Sequence, residues 1–157
     1  MEHIDHYRAA SPNDYGALLK LLPQLADFEI PIRRVAKDLW EGDAALLKEV
    51  LDKKSRVTFA DVAVDSNDQI QGVILVTMRE EILSHEPSAH LEAIVVTPDA
   101  RGQGLGRRLL KRTEKRVREL GAISLTLHVF SNNSRARSLY RSYGFDEEML
   151  RCIKWLD

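Results

Sequence analysis

One cysteine, Cys152, stands in a chain of 157 residues, so no disulfide can form within it and nothing in its cysteine usage suggests an oxidising compartment. Long apolar runs are missing as well. None approaches the ~18 residues that a membrane span needs, and the polar opening residues lack the apolar stretch of a secretory leader. Charge of one sign is not in excess. With 23 Lys and Arg against 24 Asp and Glu the formal net charge is −1, which gives no general pull toward nucleic acid. The histidines, His3, His6, His85, His90 and His128, stand at no metal-ligand spacing, and the single cysteine adds no partner for them. Repeats, linkers and low-complexity stretches are absent. What remains, 44% hydrophobic and 30% charged, is the composition of an ordinary soluble domain. The expectation is one domain over residues 1–157, cytoplasmic, without metal, membrane or nucleic-acid partners.

Along the chain, His3 to Ala9 reads as a first strand. Ser11-Pro12-Asn13-Asp14 has the chemistry of a helix start: a capping serine, proline at the first helical position and an acid three residues after the cap. That helix carries Leu18, Leu19, Leu22 and Leu25 toward Phe28, with Pro23 placed to bend or split it. A second helical stretch, about Ala36 to Lys53 and open to interruption near Gly42, has Leu39, Trp40, Leu46, Leu47, Val50 and Leu51 on its apolar side. Val57 to Val64 and Ile70 to Met78 are β-branched runs joined by Asp65-Ser66-Asn67-Asp68, four turn formers, which predicts a hairpin. After a polar loop from Glu80 to Ser88 come a strand, Leu91 to Val96, and a basic amphipathic helix, Gly104 to Leu120. A strand follows from Ile123 to Val129, then a helix from about Ser134 to Ser142 that stops at Gly144. Glu147 to Trp155 is expected to close the chain as one or two strands.

The densest signal is Arg101-Gly102-Gln103-Gly104-Leu105-Gly106, set between the Leu91–Val96 strand and the long basic helix. Gly102, Gly104 and Gly106 let the backbone approach a ligand closely, and the helix start presents free N–H groups and about half a positive charge. That combination suits a phosphate or pyrophosphate. A P-loop is excluded because Gly106 is followed by Arg107-Arg108 rather than Lys-Ser or Lys-Thr. A dinucleotide fingerprint is excluded too: Arg107 stands where its third glycine belongs, and the next strand ends in Phe130-Ser131 with no acid for a ribose.

The spacing Arg/Gln-x-x-Gly-x-Gly/Ala, met at Arg101, Gly104 and Gly106, resembles the acetyl-coenzyme A signature of the GNAT superfamily of N-acetyltransferases. A second block, from Asn133 through Ala136, Leu139 and Tyr140 to Gly144-Phe145, is similar to the family's Asn-x-x-Ala-x-x-Leu-Tyr…Gly-Phe element. The two blocks and the strand before them span about Leu91 to Phe145. The resemblance implies a mixed α/β fold of order βααβββαβαβ(β): a central, mostly antiparallel sheet of six or seven strands flanked by about four helices.

It also implies a reaction and its residues. Acetyl-coenzyme A would be the acyl donor, attacked directly by a primary amine through a tetrahedral intermediate, with no metal and no role for Cys152 as a nucleophile. The backbone of Gly102, Gln103, Gly104, Leu105, Gly106 and Arg107 would hold the pyrophosphate, with Arg101 or Arg107 adding charge. Ile94, Val95 and Val96 would pair with the pantetheine arm and supply an oxyanion donor, and Asn133 and Ala136 would lie beside the same arm. Tyr140 would protonate the departing thiol, a phenol of pKa ~10 facing a thiol near ~8.5. Glu92 would take the proton of the incoming ammonium, directly or through water. His90 is the rival for that task, since an imidazole of pKa ~6.5 suits it. Tyr143 is assigned to packing, and Asn133 has a second role open to it as the cap of its helix. The acceptor is expected to be a small amine, polyamine-, diamine- or aminoglycoside-like. The alternatives are a protein N-terminus or lysine and, outside enzymes, a sensor that binds acetyl-coenzyme A without turnover. The family's habit of pairing through terminal strands is compatible with a homodimer here.

Overall fold

In a computed structural model of the chain, residues 6–157 are described, and the first residues of the expected opening strand lie outside them. β1 (His6–Ala9) leads into Ser11, whose backbone N–H donates to Asp14 Oδ2 at 2.7 Å. The helix signal read there is therefore used, although the first turn, Pro12–Asp14, is of the 3-10 kind. Arg8 clamps the same carboxylate with both terminal nitrogens, at 2.7 and 2.9 Å, and holds it well below the usual carboxylate range. α1 (Tyr15–Leu21) ends where Pro23 removes a donor, and a 3-10 segment, Leu22–Ala26, continues it. The second helical stretch is divided at Trp40 rather than Gly42, into a 3-10 turn, Ala36–Leu39, and α2 (Glu41–Leu51).

β2 (Thr58–Val64) and β3 (Ile70–Glu80) form the expected hairpin. β4 (Pro87–Val96) starts earlier than its apolar run suggests, because Ser88 is buried by bonding to Ser124 and so extends the strand into the polar segment. α3 (Leu105–Glu119), β5 (Leu125–Leu127) and α4 (Ser134–Tyr143) follow. The sheet order is β1-β2-β3-β4-β5, antiparallel except for the parallel β4–β5 pair that the α3 crossover requires. One face of the sheet packs Val62, Val73, Leu75, Ala93 and Val95 against Leu18, Leu22 and Leu47 of α1 and α2. The other packs Ile74, Val76 and Leu91 against Leu105, Leu109 and Leu110 of α3, with Leu139 and Tyr140 of α4 at its margin.

The sheet of six or seven strands is corrected to five among the described residues, and Glu147 to Trp155 forms no strand. The physical reason is the shortness of the edge strand that it would extend. β5 is only three residues long, and ionic contacts hold the closing segment instead. Glu147 pairs with Arg137 at 2.8 Å and with Arg141 at 2.9 Å. The Trp155 ring lies under the guanidinium groups of Arg33 and Arg34, 5.7 and 5.1 Å from their carbons.

Two features of β4 position the site. Its register against β3 passes from Leu75↔Ala93 to Val76↔Leu91, so Glu92 is the extra residue of a β-bulge. Its ladder with β5 covers only Ala89 to Leu91, so the strands part at that same residue. Beyond it, the β4 edge from Glu92 to Val96 runs without a β5 partner.

Candidate functional site

The parting of β4 from β5 opens a cavity of about 640 Å³. Its lining brings together the unpaired end of β4 (Glu92, Ile94, Val95 and Val96), the turn into α3 (Arg101, Gly102, Gly104, Leu105, Gly106 and Arg107) and the near face of α4 (Asn133, Ala136 and Tyr140). Two motifs about 30 residues apart in the sequence thus share one space. Gln103 is not part of the lining; its side chain reaches Asp99 O and its carbonyl accepts from Arg108 at 2.6 Å.

The turn is made by Gly102 and Gly104, both at φ +77°, a left-handed conformation that costs an L side chain about 1–2 kcal/mol. A Cβ on Gly104 would also stand 3.1 Å from Arg108 Nη1, whereas one on Gly102 would meet nothing within 4 Å. The loop is therefore an open cradle of backbone at the head of a helix of 15 residues, which fits a pyrophosphate. The two arginines beside it are otherwise engaged. Arg101 donates to Asp27 at 2.9 Å and to Gln24 at 3.0 Å. Arg107 reaches Ser142 Oγ at 3.3 Å and stacks 5.5 Å from the Tyr143 ring centre.

Tyr140 projects from α4 into the cavity, half-buried and edge-on to Phe145 at 5.7 Å. Burial pushes its phenol up to about 12. Tyr143 turns away and donates to Glu114 at 2.7 Å. Asn133 does cap its helix, Oδ1 accepting from Ala136 N at 3.3 Å, while also lining the cavity.

His90 sits differently from its rival. It is 4% exposed and outside the cavity lining, with Nδ1 2.8 Å from Thr126 Oγ1 and its ring 4.8 Å from that of His128. Burial above all, then Arg79 and His128, pulls its imidazole down to about 4. The bulge at Glu92 breaks the strand regularity on which a shared face for His90 and Glu92 depends.

Sequence reasoning missed Asp43, in the first turn of α2, which lines the cavity together with Glu92. Burial, and then the charge of Glu92, pushes its carboxyl up to about 7. No spacing in the sequence links positions 43 and 92. Glu80, at the end of β3, and Glu81 and Glu86 in the loop after it stay outside the cavity lining, and Glu81 caps the N–H groups of Leu83 and Ser84 in its own loop. Among the described residues no three His, Cys, Asp or Glu side chains could hold a metal ion together, and no helix is long and apolar enough to cross a membrane.

Residues 23–145 match the acetyltransferase (GNAT) family. Over 141 residues the chain is 30% identical to the uncharacterized N-acetyltransferase YhfO of Bacillus subtilis (strain 168), covering 90% of this chain and 89% of that one. The fold superposes on the aminoglycoside 6'-N-acetyltransferase AAC(6')-Ih of Acinetobacter baumannii with a TM-score of 0.72 at 16% identity, over 98% of this chain and 99% of the other. It also superposes on AAC(6')-Iy in complex with the bisubstrate analogue CoA-S-monomethyl-acetylneamine, with a TM-score of 0.70 at 18% identity over 98% and 97% of the two chains. Motifs, sheet and relatives agree: the chain belongs to the GNAT family of acetyl-CoA-using acetyltransferases and is an acyltransferase.

Proposed function

We propose that this protein transfers an acetyl group from acetyl-coenzyme A to the primary amine of a small molecule. The observation that carries the reading is the cavity, in which the glycine cradle, the unpaired edge of β4, Glu92 and the Tyr140 phenol line one space. A small acceptor also accords with the fold neighbours whose names make them aminoglycoside acetyltransferases.

Bound acetyl-coenzyme A supplies a thioester, an acyl group activated toward amines. The N–H groups from Gly102 to Arg107, aided by the α3 dipole, hold its pyrophosphate. The β4 edge at Ile94, Val95 and Val96 pairs with the pantetheine arm as an added strand would, and a backbone N–H there faces the developing oxyanion. Glu92, brought into the cavity by its bulge, receives the proton that an alkylammonium of pKa ~10 must lose before it can attack. Tyr140 donates to the departing sulfur. With its pKa near 12 the phenol stays protonated throughout the neutral range. It is a weaker acid than the ~8.5 thiol, so it first stabilises sulfur charge as a hydrogen-bond donor. It gives that proton to the sulfur as the C–S bond breaks, and the second proton of the attacking nitrogen, passed on through water, restores the phenol.

Thiol release from acetyl-coenzyme A across polyamines, aminoglycosides, free amino acids and short peptides tests the reading. Amine-dependent turnover with a small amine is the expected result. Turnover confined to peptides would move the acceptor to proteins. Tight cofactor binding without turnover on any amine would make the protein a sensor, and a cofactor that does not bind would end the proposal.

A further inference from the structure

Carboxylates that are not exposed cost free energy unless something compensates them. Elsewhere in the described residues each has its compensation. Asp14 is clamped by Arg8 and Asp61 by Arg116. Asp65 accepts from the N–H groups of Asn67 and Gln69, and Glu81 from those of Leu83 and Ser84. Glu114 accepts from Tyr143 and Arg118. Asp43 and Glu92 are the exceptions: both are half-buried, both line the cavity, and among the described residues neither accepts a hydrogen bond or meets a cation. The first-turn position of Asp43 in α2 brings some dipole support but no donor aimed at its carboxylate.

The cations around the same cavity are committed elsewhere. Arg101 is bound to Asp27 and Gln24, Arg135 lies 3.8 Å from Asp27, and Arg107 is held against Ser142 and Tyr143. The remaining titratable groups of the lining, His128 and Tyr140, come from β5's end and from α4. Two carboxyl groups thus face one space, and the counter-charge that would let both ionise has to arrive with the ligand.

We propose that Asp43 is a specificity-determining residue: with Glu92 it holds the acceptor as an ammonium ion, selecting amines that carry positive charge over neutral nucleophiles of the same shape. This rests on the acetyl-transfer reading for the identity of the cavity and adds Asp43 to it. Asp43 binds the charge, and Glu92, at the bulge, is the group left to take the proton. The pH dependence follows from the carboxyl that ionises near 7: ammonium binding strengthens as pH rises through that value and weakens again as the amine itself loses its proton near ~10.

The test is calorimetric titration of the full chain, with and without coenzyme A, using n-butylamine and its neutral counterpart n-butanol between pH 5 and 9. The expected result is that butylamine binds and butanol does not. Asp43→Asn should weaken butylamine at least tenfold and abolish the rise near pH 7, while coenzyme A affinity stays unchanged. Should Asp43→Asn fail to fold, Glu92→Gln carries the same comparison, and Asp43→Glu should keep the selectivity for charge. Equal butylamine affinity in wild type and Asp43→Asn, butanol binding as well as butylamine, or no butylamine binding at all would each overturn the proposal. Loss of coenzyme A binding in the wild type would instead strike the donor reading, and butylamine binding without coenzyme A would then still decide the role of Asp43.

Discussion

The lining contributed by β4 and the start of α3 offers a ligand mostly backbone: a strand edge without a partner, two left-handed glycines and the first turn of a helix. The lining contributed by residues 24–43 offers side chains: the Gln24 amide, the carboxylates of Asp27 and Asp43, and the apolar Leu25 and Leu39. Backbone recognition suits a ligand that every family member shares, since it depends on conformation and tolerates change at most side chains. Side-chain recognition suits the partner that differs between members, since a single substitution rewrites it.

The largest effects belong to the backbone side. Gly104→Val places a β-branched residue at φ +77° with its Cβ against Arg108, and acetyl-coenzyme A binding should fall below detection while the fold survives. Arg101→Ala and Arg107→Ala should each cost less than about tenfold in cofactor affinity, because both guanidinium groups already have protein partners. Calorimetry with coenzyme A separates the two kinds of variant, and a larger loss from the arginines would break the contrast. Next comes Tyr140→Phe, expected to lower kcat ~10² to 10⁴-fold with the Kd for acetyl-coenzyme A unchanged. An unaltered kcat would remove Tyr140 from the chemistry.

Two buried or half-buried carboxylates sharpen the contrast through stability. Asp61 is 2% exposed and takes both its bonds from Arg116, at 3.0 and 2.9 Å, with that guanidinium 3.8 Å over the Phe59 ring. Arg116→Ala strands the buried charge and should cost about 3 kcal/mol in denaturant unfolding. Among the described residues Asp43 has no such partner, so Asp43→Asn should cost nothing of that kind. Its effect appears instead in the pH dependence. The folded state keeps the Asp43 proton up to about 7, whereas the unfolded state releases it near 3.8, so stability from this group falls as pH rises through that window. His90 runs the opposite way. The folded state refuses its proton down to about 4 and the unfolded state takes it near 6.5, so stability from this group falls as pH drops through that range. The two slopes, at most about 1.4 kcal/mol per pH unit each, oppose one another in the wild type. Between pH 4 and 6.5, Asp43→Asn should therefore make stability climb with pH and His90→Gln should make it fall. Identical pH profiles for all three proteins would mean that neither group is buried as described.

The same division explains what the sequence makes legible. Gly104 before a helix and Asn133 three residues before Ala136 announce backbone geometry, and such geometry has fixed spacing, so the cradle, α3, α4 and their order can be read directly. Asp43 and Glu92 line one cavity only because α2 packs on the sheet face that carries Ala93 and Val95, a tertiary fact with no local period. The bulge itself is invisible in an apolar run such as Leu91 to Val96, yet it decides that Glu92 and not His90 enters the cavity. The closing segment misleads for the converse reason. Its apolar run from Met149 to Leu156, broken only by Arg151 and Lys154, has the local look of a strand, but pairing needs an edge, and β5 is too short to give one.

The smallest expected effect tests whether the two linings are independent at all. Asp27 joins them, receiving Arg101 from the turn before α3 at 2.9 Å and lying 3.8 Å from Arg135 of α4. All three side chains reach solvent, and exposed pairs of this kind contribute little to stability because water and salt screen them. Asp27→Asn should leave the thermal midpoint where it is and change acetyl-coenzyme A affinity by less than about fivefold. If the pair does no more than tidy the surface, raising the salt concentration should reproduce the effect of the substitution. A larger loss of cofactor affinity, reversed in the double variant Asp27→Asn/Arg101→Gln, would show that Arg101 is held in place for the cofactor by the acceptor side. The two linings would then be coupled parts of one device, and donor binding would set the posture in which the acceptor is received.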